Sequence, residues 1–103
     1  MSVIVVDTIV PIPEYRSELI AALEDAIASV HAADRGCELY ALHEGKDRLV
    51  MIEKWTDQRA LEAHGEGAAV ARLLQRTSSK VAGEVDVQVL HPHPAGTTEQ
   101  GSL

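Results

Sequence analysis

The sequence predicts an α+β sandwich, one four-stranded antiparallel sheet with helices packed on one face. Three observations predict it. Four stretches carry the spacing of strands and two longer ones the spacing of helices. Glycine or proline stands at most of the junctions between them. Their order is β-α-β-β-α-β, the split βαβ pattern of a ferredoxin-like sandwich. At 103 residues the chain makes one domain, near the lower end of what supports a single core.

Val3 to Val10 is β-branched and nearly continuous, with Asp7 its only charge, and Pro11 and Pro13 close it. Such a run suits a strand covered on both faces. From Glu14 the period lengthens: Tyr15, Leu19, Ala22, Leu23, Ala26, Ile27 and Val30 fall on one helical stripe. Pro13 fits the first turn of that helix and Gly36 the turn beyond its end. Cys37 to Glu44 and Arg48 to Trp55 read as strands joined by the hairpin loop Gly45-Lys46-Asp47. Leu49, Met51, Glu53 and Trp55 share one face of the second of these strands. Thr56 or Asp57 caps a short helix running to His64, and Gly65 and Gly67 interrupt it. Helical spacing resumes from Ala68 to about Ala82. Val85, Val87 and Val89 then alternate with polar residues in a last strand that Pro92 ends. Residues 1–92 form the expected domain, and the Gly-, Ser- and Thr-rich tail, 93–103, is expected to be disordered.

The formal charge of −7 argues against nucleic acid and anionic lipid as partners. No apolar run approaches the ~18 residues of a membrane span, and no signal segment precedes the first strand, so a cytoplasmic protein is expected. One cysteine, Cys37, leaves no internal disulfide and no cysteine-based zinc site. Its expected state is an inert thiol. His91-Pro92-His93 is the only close histidine pair, and the chain is leaving the fold there. No metal site and no nucleotide motif is expected. The strand faces are apolar on both sides in places, and the helices cover one, so a homodimer packed sheet to sheet is expected.

Chemistry concentrates at Glu53-Lys54-Trp55 and at His64, nine residues beyond the tryptophan. His64 shares a helical face with Ala60 and Leu61, which turns an ionisable ring toward the apolar interior. A neutral imidazole can take a proton from a phenol or an enolisable carbon, so His64 is the candidate base. Trp55 is a candidate pocket wall with an indole N–H to offer a substrate oxygen, or equally a large apolar core residue at a strand end. Glu53, on the same strand face, is a candidate partner for His64 in a carboxylate–imidazole dyad. Asp7 interrupts an apolar strand and needs a partner or a cavity. Tyr40 and His43 point to opposite sides of their strand, so at most one faces a given pocket. His31 suits a helix C-terminus.

Gly36-Cys37-x-x-Tyr40 opening the second strand, Glu53-x-Trp55 closing the third and His64 beyond it resemble the antibiotic biosynthesis monooxygenase family over about residues 3 to 90. The resemblance implies a dimeric α+β barrel with a pocket between sheet and helices in each subunit. Members include cofactor-independent oxygenases of hydroquinone-like polyketides, haem-degrading enzymes and an isomerase of a phosphorylated sugar. The haem-degrading branch has an asparagine on the first strand and a haem-ligating histidine late in the second long helix. This chain has Asp7 and Leu74 there, and departs from that branch. Met51 replaces an asparagine that the polyketide oxygenases carry four residues before the tryptophan, and the chain has no Phe to wall a polycyclic substrate. The expected activity is therefore oxygenation of a small hydroquinone-like or enolisable compound by O₂, with no cofactor. His64 would be the base, with Trp55, Glu53, Asp7 and Tyr40 binding substrate. An isomerase using the same histidine and a non-catalytic ligand-binding or stress-response dimer are the alternatives.

Overall fold

A computed structural model describes all 103 residues. Its elements run β1 (Val3–Ile9), α1 (Arg16–Ala33), β2 (Cys37–Glu44), β3 (Leu49–Trp55), α2 (Gln58–Gly65), α3 (Ala68–Thr77), β4 (Asp86–Leu90) and a short α4 (Thr98–Gly101). The strands form one antiparallel sheet in the order β2-β3-β1-β4. This is the ferredoxin-like α+β arrangement that the alternating patterns predict.

Two helix boundaries differ from the sequence reading by more than one residue. The first helix is preceded by a 3-10 turn over Pro13–Tyr15, with Ile12 at its N-cap, and α1 proper begins at Arg16. Proline fixes the φ of that turn and lacks a donor, so the chain tightens before the α-helix settles. At the other end α3 stops at Thr77, not near Ala82. The Lys80 carbonyl accepts from Ile12 N at 2.9 Å, and Ala82 N donates to the Val10 carbonyl at 2.7 Å. These backbone groups pair better with the end of β1 than with another helical turn that two serines, Ser78 and Ser79, support poorly. In the tail, α4 makes a single turn, and Lys54 Nζ donates to the Leu103 carbonyl at 2.8 Å.

The core lies between sheet and helices. Leu19, Ala22, Leu23, Ala26 and Val30 form the buried stripe of α1. It packs against the β3 face of Leu49, Met51, Glu53 and Trp55, all buried, while Val50, Ile52 and Lys54 alternate outward. α3 runs antiparallel to α1, and two exposed contacts tie them: Arg76 Nη1 to Asp25 Oδ2 at 2.6 Å and Arg72 Nη2 to Ser29 Oγ at 3.2 Å. The opposite face of the sheet carries the row Ala41, Ile52, Val6 and Gln88, related by direct strand pairing, and takes no part in this core. β4, at the sheet edge beside β1, is exposed along its whole length.

Candidate functional site

The site is assembled at the meeting of α1, β3 and α2. Asp57 caps α2, its carboxylate accepting from Ala60 N at 2.9 Å. That fixes the helical phase, and His64 turns inward one turn beyond Ala60. His64 is 7% exposed, and its ring lies 4.5 Å from the Trp55 ring and 5.2 Å from the Tyr40 ring. His64 Nδ1 stands 2.7 Å from Asp34 Oδ2. A carboxylate can only accept, so Nδ1 carries the proton and the neutral ring presents Nε2 as an acceptor. No protein group bonds Nε2, and it is not sealed from the cavity that His64 lines.

Asp34 reaches His64 through a tight turn. It is the C-cap residue of α1, its N–H still bonded to the Val30 carbonyl. Two residues on, Gly36 adopts φ +83°, and its carbonyl accepts from Thr56 N at 2.9 Å. A Cβ at Gly36 would come within 2.7 Å of both Ala60 Cβ and Thr56 Oγ1. Glycine is needed here twice over, for the left-handed backbone and for the contact with the first turn of α2. Asp34 was missed in the sequence. Its one signal is electrostatic: an acid at a helix C-terminus opposes the macrodipole and calls for a specific partner.

Glu53 does not orient His64; that role falls to Asp34. Glu53 is 3% exposed and accepts from Trp55 Nε1 at 2.9 Å. Across the β1–β3 pairing Val5 lies opposite Glu53 and Asp7 opposite Met51, so the two acids are diagonal neighbours on one face. Burial, and then the hydrogen bond and charge of Asp7, push the Glu53 carboxyl up to about 9, while the Trp55 N–H acts the other way. Burial and the neighbouring Asp7 thus both favour the protonated form of Glu53.

Trp55 is a core residue and not a pocket wall. It is fully buried and does not line the cavity; its ring backs His64, and its N–H is taken by Glu53. The terminal position of Trp55 on β3 puts it behind the two groups it was expected to accompany. Tyr40 does line the cavity, with its hydroxyl unbonded by protein and raised above the ordinary phenol range by burial and by Glu53 and Asp7. His43, on the other side of β2, is exposed, and His31 Nε2 lies 3.1 Å from the Tyr40 carbonyl and pins β2 to α1. Cys37 is half-buried, and burial with the nearby Asp34 pushes its thiol up, away from reactivity.

The resulting cavity holds about 330 Å³ between the helices and the sheet. Its walls are mainly apolar, from Val5 and Ile9 on β1, Leu19 and Leu23 on α1, Met51 on β3 and Leu73 on α3. Asp7, Tyr40, Glu53, His64 and Thr77 supply the polar atoms, and Thr77 Oγ1 is already bonded to the Leu73 carbonyl at 2.7 Å. Exposed Leu74, Val85 and Val87 rim the side open to solvent. No Arg or Lys lines it. The volume suits a small ligand buried on most of its surface.

Comparison with known proteins agrees with this fold. The family model described as antibiotic biosynthesis monooxygenase matches residues 2–76. Among solved structures, Rv0793 from Mycobacterium tuberculosis superposes with TM-score 0.86 at 27% identity, over 94% of this chain and 100% of that one. PA3566 from Pseudomonas aeruginosa does so with TM-score 0.79 at 26% identity, over 89% of this chain and 94% of that one. A protein of Caulobacter crescentus, provisionally named an antibiotic biosynthesis monooxygenase, shares the fold with TM-score 0.83 at 24% identity, over 86% of this chain and 87% of its own. No curated protein matches the sequence.

Proposed function

The chain belongs to the antibiotic biosynthesis monooxygenase family, and from that premise we propose that it oxygenates a small hydroquinone-like or enolisable aromatic compound without a cofactor, as a cytoplasmic homodimer. The observation that carries the reading is the arrangement at His64: Nδ1 held by Asp34 at 2.7 Å and Nε2 left free on an apolar cavity. A base fixed in one tautomer and shielded from bulk water is what abstraction of a phenolic proton needs.

In this reading Nε2 takes a proton from a substrate hydroxyl. The resulting phenolate is electron-rich enough to pass an electron to O₂, and the radical pair joins through a carbon–oxygen bond. Loss of water from that peroxide leaves a carbonyl. One ring C–H and one C–OH thus become two carbonyls, and O₂ takes four electrons from the substrate. One oxygen atom enters the product. The other leaves as water with the hydroxyl proton, returned by His64, and the former ring proton. Tyr40 and Asp7 bind substrate oxygens, Glu53 holds Asp7 in place, and Trp55 supports the His64 ring from behind.

Oxygen uptake by metal-stripped protein, with a panel of small hydroquinones, tests the proposal. Wild type should consume O₂ with stoichiometric product, and His64→Ala should lose roughly 10²- to 10⁴-fold in rate, the usual contribution of a positioned base. Uptake equal in the two proteins would sink it. Turnover that proceeds without O₂ would instead identify an isomerase using the same base.

A further inference from the structure

The polar atoms of the cavity are unbalanced. His64 Nε2 is an acceptor on a side chain more than nine-tenths buried, without a protein partner and turned to the cavity. Asp7 and Glu53 are diagonal neighbours on one sheet face, and both line the cavity. Only the Tyr40 hydroxyl can donate freely. No cation stands on the lining to neutralise a carboxylate charge or to receive an anion.

We propose that the Asp7–Glu53 pair sets the specificity of the site by charge, admitting uncharged ligands that bring hydroxyl donors and rejecting those that carry a carboxylate or phosphate. The inference rests on the cavity being the substrate site proposed above, and goes beyond it by assigning the selection to two residues. An incoming anion would meet a like charge across a few ångströms of apolar surroundings, where water screens little. A neutral diol meets two acceptors instead, Nε2 of His64 for one hydroxyl and the Asp7 carboxylate for the other. Asp7 is the half-exposed acid of the two, while Glu53 is buried and already accepts from Trp55, surroundings that favour its protonated form. Phosphorylated sugars fall outside the accepted class.

The two acids predict different behaviour on isosteric replacement, and this makes the assignment testable. Asp7→Asn removes the charge, whereas Glu53→Gln keeps it, since glutamine can accept from Trp55 and donate to Asp7 as the protonated acid does. Binding of 1,4-dihydroxybenzene and of its carboxylated analogue, 2,5-dihydroxybenzoate, is followed at neutral pH through the NMR signals of His64 and Tyr40. Wild type and Glu53→Gln should favour the neutral compound by about tenfold or more, and Asp7→Asn should bring the two within about threefold. In the unliganded protein, the infrared carbonyl band of a protonated carboxyl should be present in wild type and Asp7→Asn and absent in Glu53→Gln. Equal binding of the two compounds by wild type, or an unchanged ratio in Asp7→Asn, would overturn the charge assignment and leave the oxygenase reading standing. Failure of both compounds to shift either residue in any variant would overturn both readings.

Discussion

Asp34 and His64 lie thirty residues apart in the chain and 2.7 Å apart in the fold. Asp34 does not line the cavity, so it acts through the imidazole as a positioning residue, holding one tautomer and favouring the protonated ring that forms as a proton is taken. Asp34→Asn should lower kcat more than about tenfold with little change in KM, and ¹⁵N shifts of His64 should show a mixture of tautomers. A variant with wild-type kcat and a single tautomer would remove Asp34 from the mechanism. Glu53 makes a separate prediction about stability. Unfolded, its carboxyl titrates near ~4.3, and folded near about 9, so across that window the folded chain holds a proton that the unfolded chain has lost. Stability from this group is therefore full below the lower value and falls as pH rises, by at most about 1.4 kcal/mol per pH unit, levelling above the upper one. The groups around Glu53 are Asp7 on β1, Tyr40 on β2, Trp55 on its own strand and His64 from α2. Urea midpoints between pH ~5 and ~9 should fall more steeply for wild type than for Glu53→Gln. Parallel curves would mean that Glu53 is ionised throughout. Of these residues the sequence made His64 legible, because helical phase alone turns it inward. It pairs Glu53 with His64, because strand alternation gives the face and not the neighbour: Glu53 lies beside Asp7 of β1, and the acid at His64 is Asp34, from the end of α1.

At the scale of elements, the site depends on the α1–β2 turn seating against the start of α2. Gly36 makes that possible, with φ +83° and no room for a Cβ between Ala60 and Thr56. Gly36→Ala should cost more than about 1–2 kcal/mol, the backbone penalty alone, and the collision with Ala60 and Thr56 adds to it. Denaturant unfolding gives the loss. NMR of the folded fraction should also show His64 released from Asp34, and an unshifted His64 signal would break the link between turn and site. Most elements were legible because each buries one face at a regular period, as Leu19, Leu23, Ala26 and Val30 do on α1. The end of α3 was not. Val81 continues the helical stripe, but the backbone there pairs with Val10 and Ile12, a tertiary hydrogen-bond pattern that leaves no mark in side-chain spacing.

The whole molecule has one apolar sheet face that its own helices do not cover. Ala41, Ile52 and Val6 form a half-buried row across three strands on that face, with Val50 beside them. On β4 the exposed Leu90, paired with Ile4, continues this face, and the strand's outer edge has no partner. A chain of this size buries only about 65% of its unfolded surface alone, and an unpaired edge beside an apolar face invites association. Covering both with a second copy requires no new element, since a two-fold axis offers each face its own complement. The mass in solution at micromolar concentration should accordingly be that of two chains and not the 11.1 kDa of one. Val6→Lys places a charge in the middle of the row, opposite Ile52, where pairing of the faces would strip it of water. Sedimentation should show that variant shifting toward monomer as it is diluted, while circular dichroism keeps the wild-type helix and strand signal. A wild-type protein that sediments as a monomer would leave the apolar row without an explanation in self-association. A dimer unaffected by Val6→Lys would put the contact on the β4 edge instead, where Leu90 is the residue to change next.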